Sequence, residues 1–198
     1  MSGASTAEAP DRGTLSAAAA TTAATTAATT AATTPATTAA TTPATTLVIG
    51  LGNPVLGDDG VGWLVVGEAE ARWSGAPGVA FDRLAVGGLT LMERLVGARR
   101  AILVDAVVTG LDPAGTVRLL EPGTIPGRDA THLDSPHDVT LRTALALGRT
   151  LGADLPDEIA VLTIEAERVG EFSERLTPAV AAAVPDAVAR VLALLGDR

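Results

Sequence analysis

The chain has 198 residues and a formal net charge of −9, and it contains no cysteine and no lysine. The lack of cysteine excludes disulfides, thiolate metal sites and a cysteine nucleophile, and the lack of lysine excludes a Schiff base and a phosphate-loop lysine. The negative charge argues against a nucleic-acid surface, because the phosphates would be repelled.

The first segment of the chain has an unusual composition. From Thr21 to Thr46 it repeats Thr and Ala in a four-residue period without any large apolar side chain. Such a segment buries too little surface to offset the entropy of ordering. We therefore predict a disordered Thr/Ala-rich tail at residues 1–46 and one domain at residues 47–198.

The N-terminus lacks the basic-then-apolar order of a secretion signal, and no uninterrupted apolar run approaches 18 residues. We expect a cytoplasmic protein without membrane insertion.

Strand patterns and helix patterns alternate along the domain. Apolar runs bounded by Gly and Pro predict strands at 45–52, 78–88, 99–110, 114–123 and 158–166. Helical patterns fall at 59–73, 89–98, 138–151 and 177–196. This alternation predicts an α/β fold with a mostly parallel sheet and helices on both faces. We place the apolar strands 47–51 and 101–106 at the centre and 114–123 at an edge.

Ligands of such sheets bind beyond the carboxyl ends of the strands. The loop 52–59, Asp105 and the segment after Val86 all follow or end predicted strands. We therefore expect these three parts of the chain to converge on one site.

The first of these parts, "LVIGLGNPVLGDDGVG" at residues 47–62, begins like a dinucleotide-binding loop. The third glycine of that motif is replaced by Val55, and Asp58 and Asp59 would repel a pyrophosphate. A helix N-cap is the simplest role for Asp58. Asp59 is either an ordinary acid of the first helical turn or a ligand, and the loop alone does not decide between them.

Two further residues stand out by their positions. Asp105 interrupts a buried strand near its carboxyl end, where it is either a structural acid or part of a site. His137 lies in "SPHD" before a predicted helix, where it is either an exposed loop residue, a hydrogen-bonding residue at the helix start or a ligand, whereas His132 has no supporting pattern. Together Asp59, Asp105 and His137 would form an open site for a divalent cation such as nickel or zinc.

Three motifs in this order resemble the [NiFe]-hydrogenase maturation endopeptidases. They are "IGLGNPVLGDDGVG" (49–62), "AILVDAV" (101–107) and "SPHDV" (135–139), and the resemblance covers about residues 47–195. The resemblance implies a three-layer α/β/α sandwich with a five-stranded, mostly parallel sheet and one antiparallel edge strand. It also implies an endopeptidase, aspartic-type or metal-assisted, that removes a C-terminal extension from the hydrogenase large-subunit precursor after nickel insertion.

The resemblance assigns roles to individual residues. Asp59, Asp105 and His137 match the residues that bind metal in the family, and their role in the cleavage step is left open. The resemblance also implies that nickel is supplied by the substrate and is not a permanent cofactor. Asn53, Gly87 and Gly88 would shape the loops that face the substrate chain, and we expect a monomer.

One departure concerns Val86, because some members of the family carry an acid at this position. The identity of the hydrogenase that the protein would process is therefore left open. Two other functions also remain at this point: a non-catalytic nickel-sensing chaperone of the immature large subunit, and a small nucleotide-binding domain built on the turn from Gly50 to Gly52.

Overall fold

The computed structural model describes residues 45–75, 77–85, 87–120 and 141–196. Five strands form one sheet in the order β2-β1-β3-β5-β4. Their bounds are β1 Thr46–Leu51, β2 Val79–Leu84, β3 Arg100–Val107, β4 Val117–Leu120 and β5 Glu158–Glu165. Only β4 runs antiparallel, pairing with β5 at the sheet edge, while β1, β2, β3 and β5 are parallel to their neighbours.

Helices cover both faces of this sheet. They are α1 Val61–Arg72, α2 Gly88–Leu95, α3 Leu141–Thr150 and α4 Pro178–Gly196. The first core contains the buried side chains of α1 and α4 together with alternate residues of the strands, among them Val48 and Ile102. The second core contains α2, α3 and the intervening strand residues, such as Ile49 and Leu103. Successive strand residues point to opposite faces, which explains why neighbours enter different cores.

The architecture confirms the predicted α/β/α sandwich with a five-stranded sheet and one antiparallel edge strand. The strand β3 is central and β1 is its neighbour, as their apolar sequences indicated. One boundary differs, because Thr46 belongs to β1 and not to the tail: it is buried and pairs with Val79 and Arg100. Residues 1–44 lie outside the described residues, so disorder of the tail stays a prediction.

The C-terminal helix α4 qualifies the expectation of no membrane-spanning segment. The helix has 19 residues, and an 18-residue stretch of it has a mean hydropathy of 1.7, which is long and apolar enough for a span by length and composition alone. Length and composition do not identify a span, because a core helix passes the same test. One side of α4, including Val184, Val188 and Val191, is buried in the first core, where the helix packs against α1 and β5. The helix also continues through Pro185 without a break.

The start of α1 packs unusually close to the sheet. A Cβ on Gly62 would overlap the carbonyl oxygens of Leu51 on β1 and Val104 on β3. A Cβ on Gly50 would in turn overlap the carbonyl of Gly62. These glycines let the first turn of α1 rest directly on the backbone of the two central strands.

We expect Gly62→Ala to lower the free energy of unfolding by about 2 kcal/mol or more, because the methyl group overpacks a backbone contact that cannot relax. Chemical denaturation of the purified variant measures this loss. The control is Gly196→Ala at the end of α4, where a Cβ meets nothing within 4 Å. A Gly62→Ala variant as stable as the control would contradict the close packing.

Candidate functional site

Asp59 lies in a short 3-10 helix, Asp58–Gly60, between β1 and α1. Its side chain is only 8% exposed. The backbone N–H of Asn53 donates to Asp59 Oδ2 at 2.8 Å, and Asn53 Oδ1 accepts from the N–H of Val55 at 3.2 Å. Asn53 therefore shapes the turn with its side chain and orients the Asp59 carboxylate with its backbone.

Gly52 joins this turn to the neighbouring strand. Its N–H donates to the carbonyl of Leu84 at the end of β2, at 3.1 Å. Its φ of 117° suits glycine, and a Cβ there would overlap the carbonyl oxygen of Asp59. The glycine therefore allows the turn carrying Asp59 to fold back onto the end of β1.

Asp105 is fully buried on β3, where it pairs with Thr163 of β5. It occupies the strand face of Leu103, because side chains alternate along a strand, so it points to the side covered by α2 and α3. The 3-10 turn of Asp59 contacts β3. Both carboxylates thus lie at the carboxyl end of the central strands, as predicted.

The carboxylate of Asp58 does not cap a helix, and that prediction is wrong. Gly57 precedes the 3-10 helix and Gly60 precedes α1, and neither start has a side-chain cap. Asp58 is instead fully buried and faces the segment before α4. Its Oδ2 accepts from the backbone N–H groups of Glu167 and Arg168, both at 3.0 Å.

The same carboxylate also binds the residue that immediately precedes α4. The N–H of Thr177 donates to Asp58 Oδ1 at 2.6 Å, and its hydroxyl donates to Oδ2 at 2.9 Å. Four donors therefore converge on one side chain, which ties the Asp59 turn to the loop at residues 167–177. Those donors lie more than a hundred residues away in sequence, so the local pattern around Asp58 suggested only a cap.

The remaining predicted residues are only partly described. Gly87 precedes α2, and Gly88 begins it with a φ of 58°. Val86 and His137 lie outside the described residues, so their roles stay predictions. Within the described ranges, no group of three or more His, Cys, Asp and Glu side chains is arranged to hold a metal ion. That search includes Asp59 and Asp105 but not His137.

A cleft of about 200 Å³ is lined by Thr163 and Glu165 of β5, and Thr163 is the strand neighbour of Asp105. The buried Glu165 accepts from the N–H and hydroxyl of Thr109 and the N–H of Gly110. These residues were not predicted from the sequence. The signal was present, because polar side chains at the carboxyl end of a buried strand are the feature that singled out Asp105.

An ion pair borders the same cleft. Arg118 donates from Nε and Nη2 to the two carboxylate oxygens of Asp112, both at 2.5 Å. This hydrogen bonding lowers the pKa of Asp112 and raises the pKa of Arg118 from their usual values. Both groups are therefore charged at neutral pH.

Comparison with known proteins identifies the family. The family model HycI, described as "Hydrogenase maturation protease", matches residues 85–194, which is more than half of the chain. The chain belongs to the hydrogenase maturation protease family. This family assignment makes it a peptidase, as the sequence motifs predicted.

Individual relatives of this hydrogenase maturation protease agree with the assignment. The hydrogenase 2 maturation protease of Escherichia coli is 29% identical over 151 residues, covering 76% of this chain and 90% of the relative. The hydrogenase expression/formation protein HoxM of Cupriavidus necator is 28% identical over 149 residues, covering 75% and 73%. The solved structure of the hydrogenase maturating endopeptidase HybD from E. coli superposes with a TM-score of 0.66 at 27% identity, covering 77% and 92%.

The hydrogen bonds between Asp58 and the loop at residues 167–177 of this protease can be tested by mutation. Asp58→Ala leaves two backbone N–H groups and Thr177 without their buried acceptor, at about 1–3 kcal/mol for each group. We expect a loss of roughly 3 kcal/mol or more in the free energy of unfolding. A helix cap would contribute only about 1 kcal/mol.

Chemical denaturation distinguishes the two magnitudes, with Asp186→Ala on the exposed side of α4 as the matched control. Hydrogen exchange gives a second readout, since the amide protons of Arg168 and Thr177 should lose protection first. A loss near 1 kcal/mol with unchanged protection of these amides would contradict the link.

Proposed function

We propose that this protease is an endopeptidase that removes the C-terminal extension of a [NiFe]-hydrogenase large-subunit precursor after nickel insertion. The nickel carried by the precursor would be the recognition element. One observation supports the position of this site: the 3-10 turn of Asp59 contacts β3, the strand that carries Asp105, at the carboxyl end of the sheet.

The donor set fits a nickel ion delivered by the substrate. Carboxylate oxygens and an imidazole are suitable ligands for such an ion, and the chain has no thiolate to compete for it. Asp59 and Asp105 supply the carboxylates, and His137 is the third ligand by resemblance. Three protein ligands leave coordination positions for groups of the precursor, which fits the implication of the resemblance that the nickel belongs to the substrate and is not a resident cofactor.

The described residues suggest how the turn serves this reaction. The N–H of Asn53 holds one oxygen of Asp59, which fixes the direction of the carboxylate before the substrate arrives. Gly87 and Gly88 begin α2 beyond the end of β2, and Gly52 bonds to that strand end. The loops after β1 and β2 would thus form adjacent walls along the precursor chain.

Two reaction types are compatible with this arrangement. In an aspartic-type reaction, one carboxylate would take a proton from the attacking water. In a metal-assisted reaction, the scissile carbonyl or the water would be polarised by the nickel of the precursor. We further propose a cytoplasmic monomer that binds no nucleic acid and does not insert into a membrane.

The test follows the mass of a nickel-loaded precursor during incubation with the full-length protease. We expect loss of the C-terminal peptide from nickel-loaded precursor and no cleavage of nickel-free precursor. Asp59→Asn, Asp105→Asn and His137→Ala should each slow cleavage at least ~10-fold, since even groups that only support metal ligands have effects of that size.

Matched controls are His132→Ala and the exposed Asp186→Asn, which should cleave at the wild-type rate. Full cleavage by an Asp59→Ala, His137→Ala double variant would exclude the proposed site. A wild-type protein that binds the precursor but never shortens it would instead favour a nickel-sensing chaperone.

A further inference from the structure

A second pocket is lined in part by the turn that carries Asp59, and we call it the Trp63 pocket. Its volume is about 330 Å³. One wall is the turn itself, through Pro54, Gly57 and Gly60, and another is the start of α1, through Trp63 and Leu64. The turn therefore carries Asp59 on a segment whose other residues line this pocket.

The opposite wall belongs to the loop at residues 167–177, which contributes Glu174 and Leu176. Backbone hydrogen bonds connect this loop to the turn. Gly57 donates to the carbonyl of Ser173 at 2.7 Å, and Ser173 donates to the carbonyl of Val55 at 3.0 Å. With the four bonds to Asp58, they hold the two walls of the Trp63 pocket at a fixed separation.

Apolar side chains are exposed on the segments that form this pocket, although of Phe172, Leu64 and Val55 only Leu64 lines it. Phe172, next to Ser173, is 91% exposed, while Leu64 is 44% and Val55 is 41% exposed. Apolar residues exposed together are typical of protein-interaction sites. Aromatic residues are also enriched in protein interfaces.

The back of the pocket is rigid. Trp63 Nε1 donates to the carbonyl of Leu84 at 3.2 Å, which holds the indole against the end of β2. Arg83 lines the same pocket and pairs with Glu70 at 2.6 Å, so its charge is already matched. An apolar occupant thus meets a preformed surface in which the buried polar groups have partners.

We propose that the Trp63 pocket binds an apolar side chain of the hydrogenase large-subunit precursor, with Phe172 and Leu64 packing on the polypeptide around it. This inference rests on the proposed function. The occupant follows from continuity: the turn at residues 53–60 forms a wall of the pocket and also carries Asp59, so a chain whose nickel reaches Asp59 passes the pocket. The pocket supplies binding energy and orientation, and no chemical step takes place in it.

The experiment measures kcat and KM for cleavage of nickel-loaded precursor by the full-length protease. Serine substitution of both exposed residues, Phe172→Ser with Leu64→Ser, should raise KM at least 10-fold and leave kcat within twofold. Phe172→Leu keeps an apolar contact and should retain a KM within threefold of wild type.

The matched control is Leu151→Ser with Val96→Ser. These residues are 74% and 48% exposed and lie near the amino end of the sheet, before β5 and β3. The control should keep the wild-type KM, and the melting temperatures of both double variants should agree within a few degrees.

Each outcome has a defined meaning. An unchanged KM in the Phe172→Ser, Leu64→Ser variant, or an equal rise in the control, would overturn the inference while leaving the proposed function intact. A fall in kcat without a change in KM would also overturn it. Absence of cleavage by the wild-type protein would reject the proposed function itself, and direct binding of precursor to the variants would then still test the pocket.

Discussion

The candidate site depends on a single buried carboxylate that is not itself a predicted ligand. Asp58 accepts four hydrogen bonds from the segment at residues 167–177, which leads from β5 into α4. Hydrogen bonds of this kind offset the desolvation of a buried carboxylate, so they stabilise the turn and the loop against each other. The hydrogen bonds to Asp58 therefore hold both the turn that carries Asp59 and the separation between the walls of the Trp63 pocket.

Glycine backbone contacts provide the other constraint on this site. The first turn of α1 rests on the carbonyls of Leu51 and Val104 because Gly62 has no side chain, and Gly52 gives the same freedom to the chain that precedes Asp59. Similar glycine spacing in a dinucleotide-binding loop brings the backbone close to a pyrophosphate. In this protein the glycines bring the first turn of α1 close to the backbone of the central strands and place an acid at the carboxyl end of the sheet.

The fold was largely predictable because its signals are local. Apolar runs such as "AILVDAV" define buried strands, and the carboxyl-end rule then located Asp59 and Asp105. The role of Asp58 was not predictable in this way, since its partners Glu167 and Thr177 are more than a hundred residues away in sequence and only the fold brings them together. The Trp63 pocket was hidden for the same reason: its walls come from three separate segments, and none of them carries a motif.

The two adjacent acids, Asp58 and Asp59, have different hydrogen-bond partners, and this difference bears on the proposed nickel site. The four hydrogen bonds to Asp58 come from backbone amides and a hydroxyl, which are neutral groups, so they stabilise its charge without cancelling it. That charge stays one residue from Asp59, in a protein whose formal net charge is −9. Neighbouring negative charges favour the approach of a cation to this end of the sheet. In the proposed nickel site, Asp58 would therefore act through its field and through the position of the loop, while Asp59 would contact the metal.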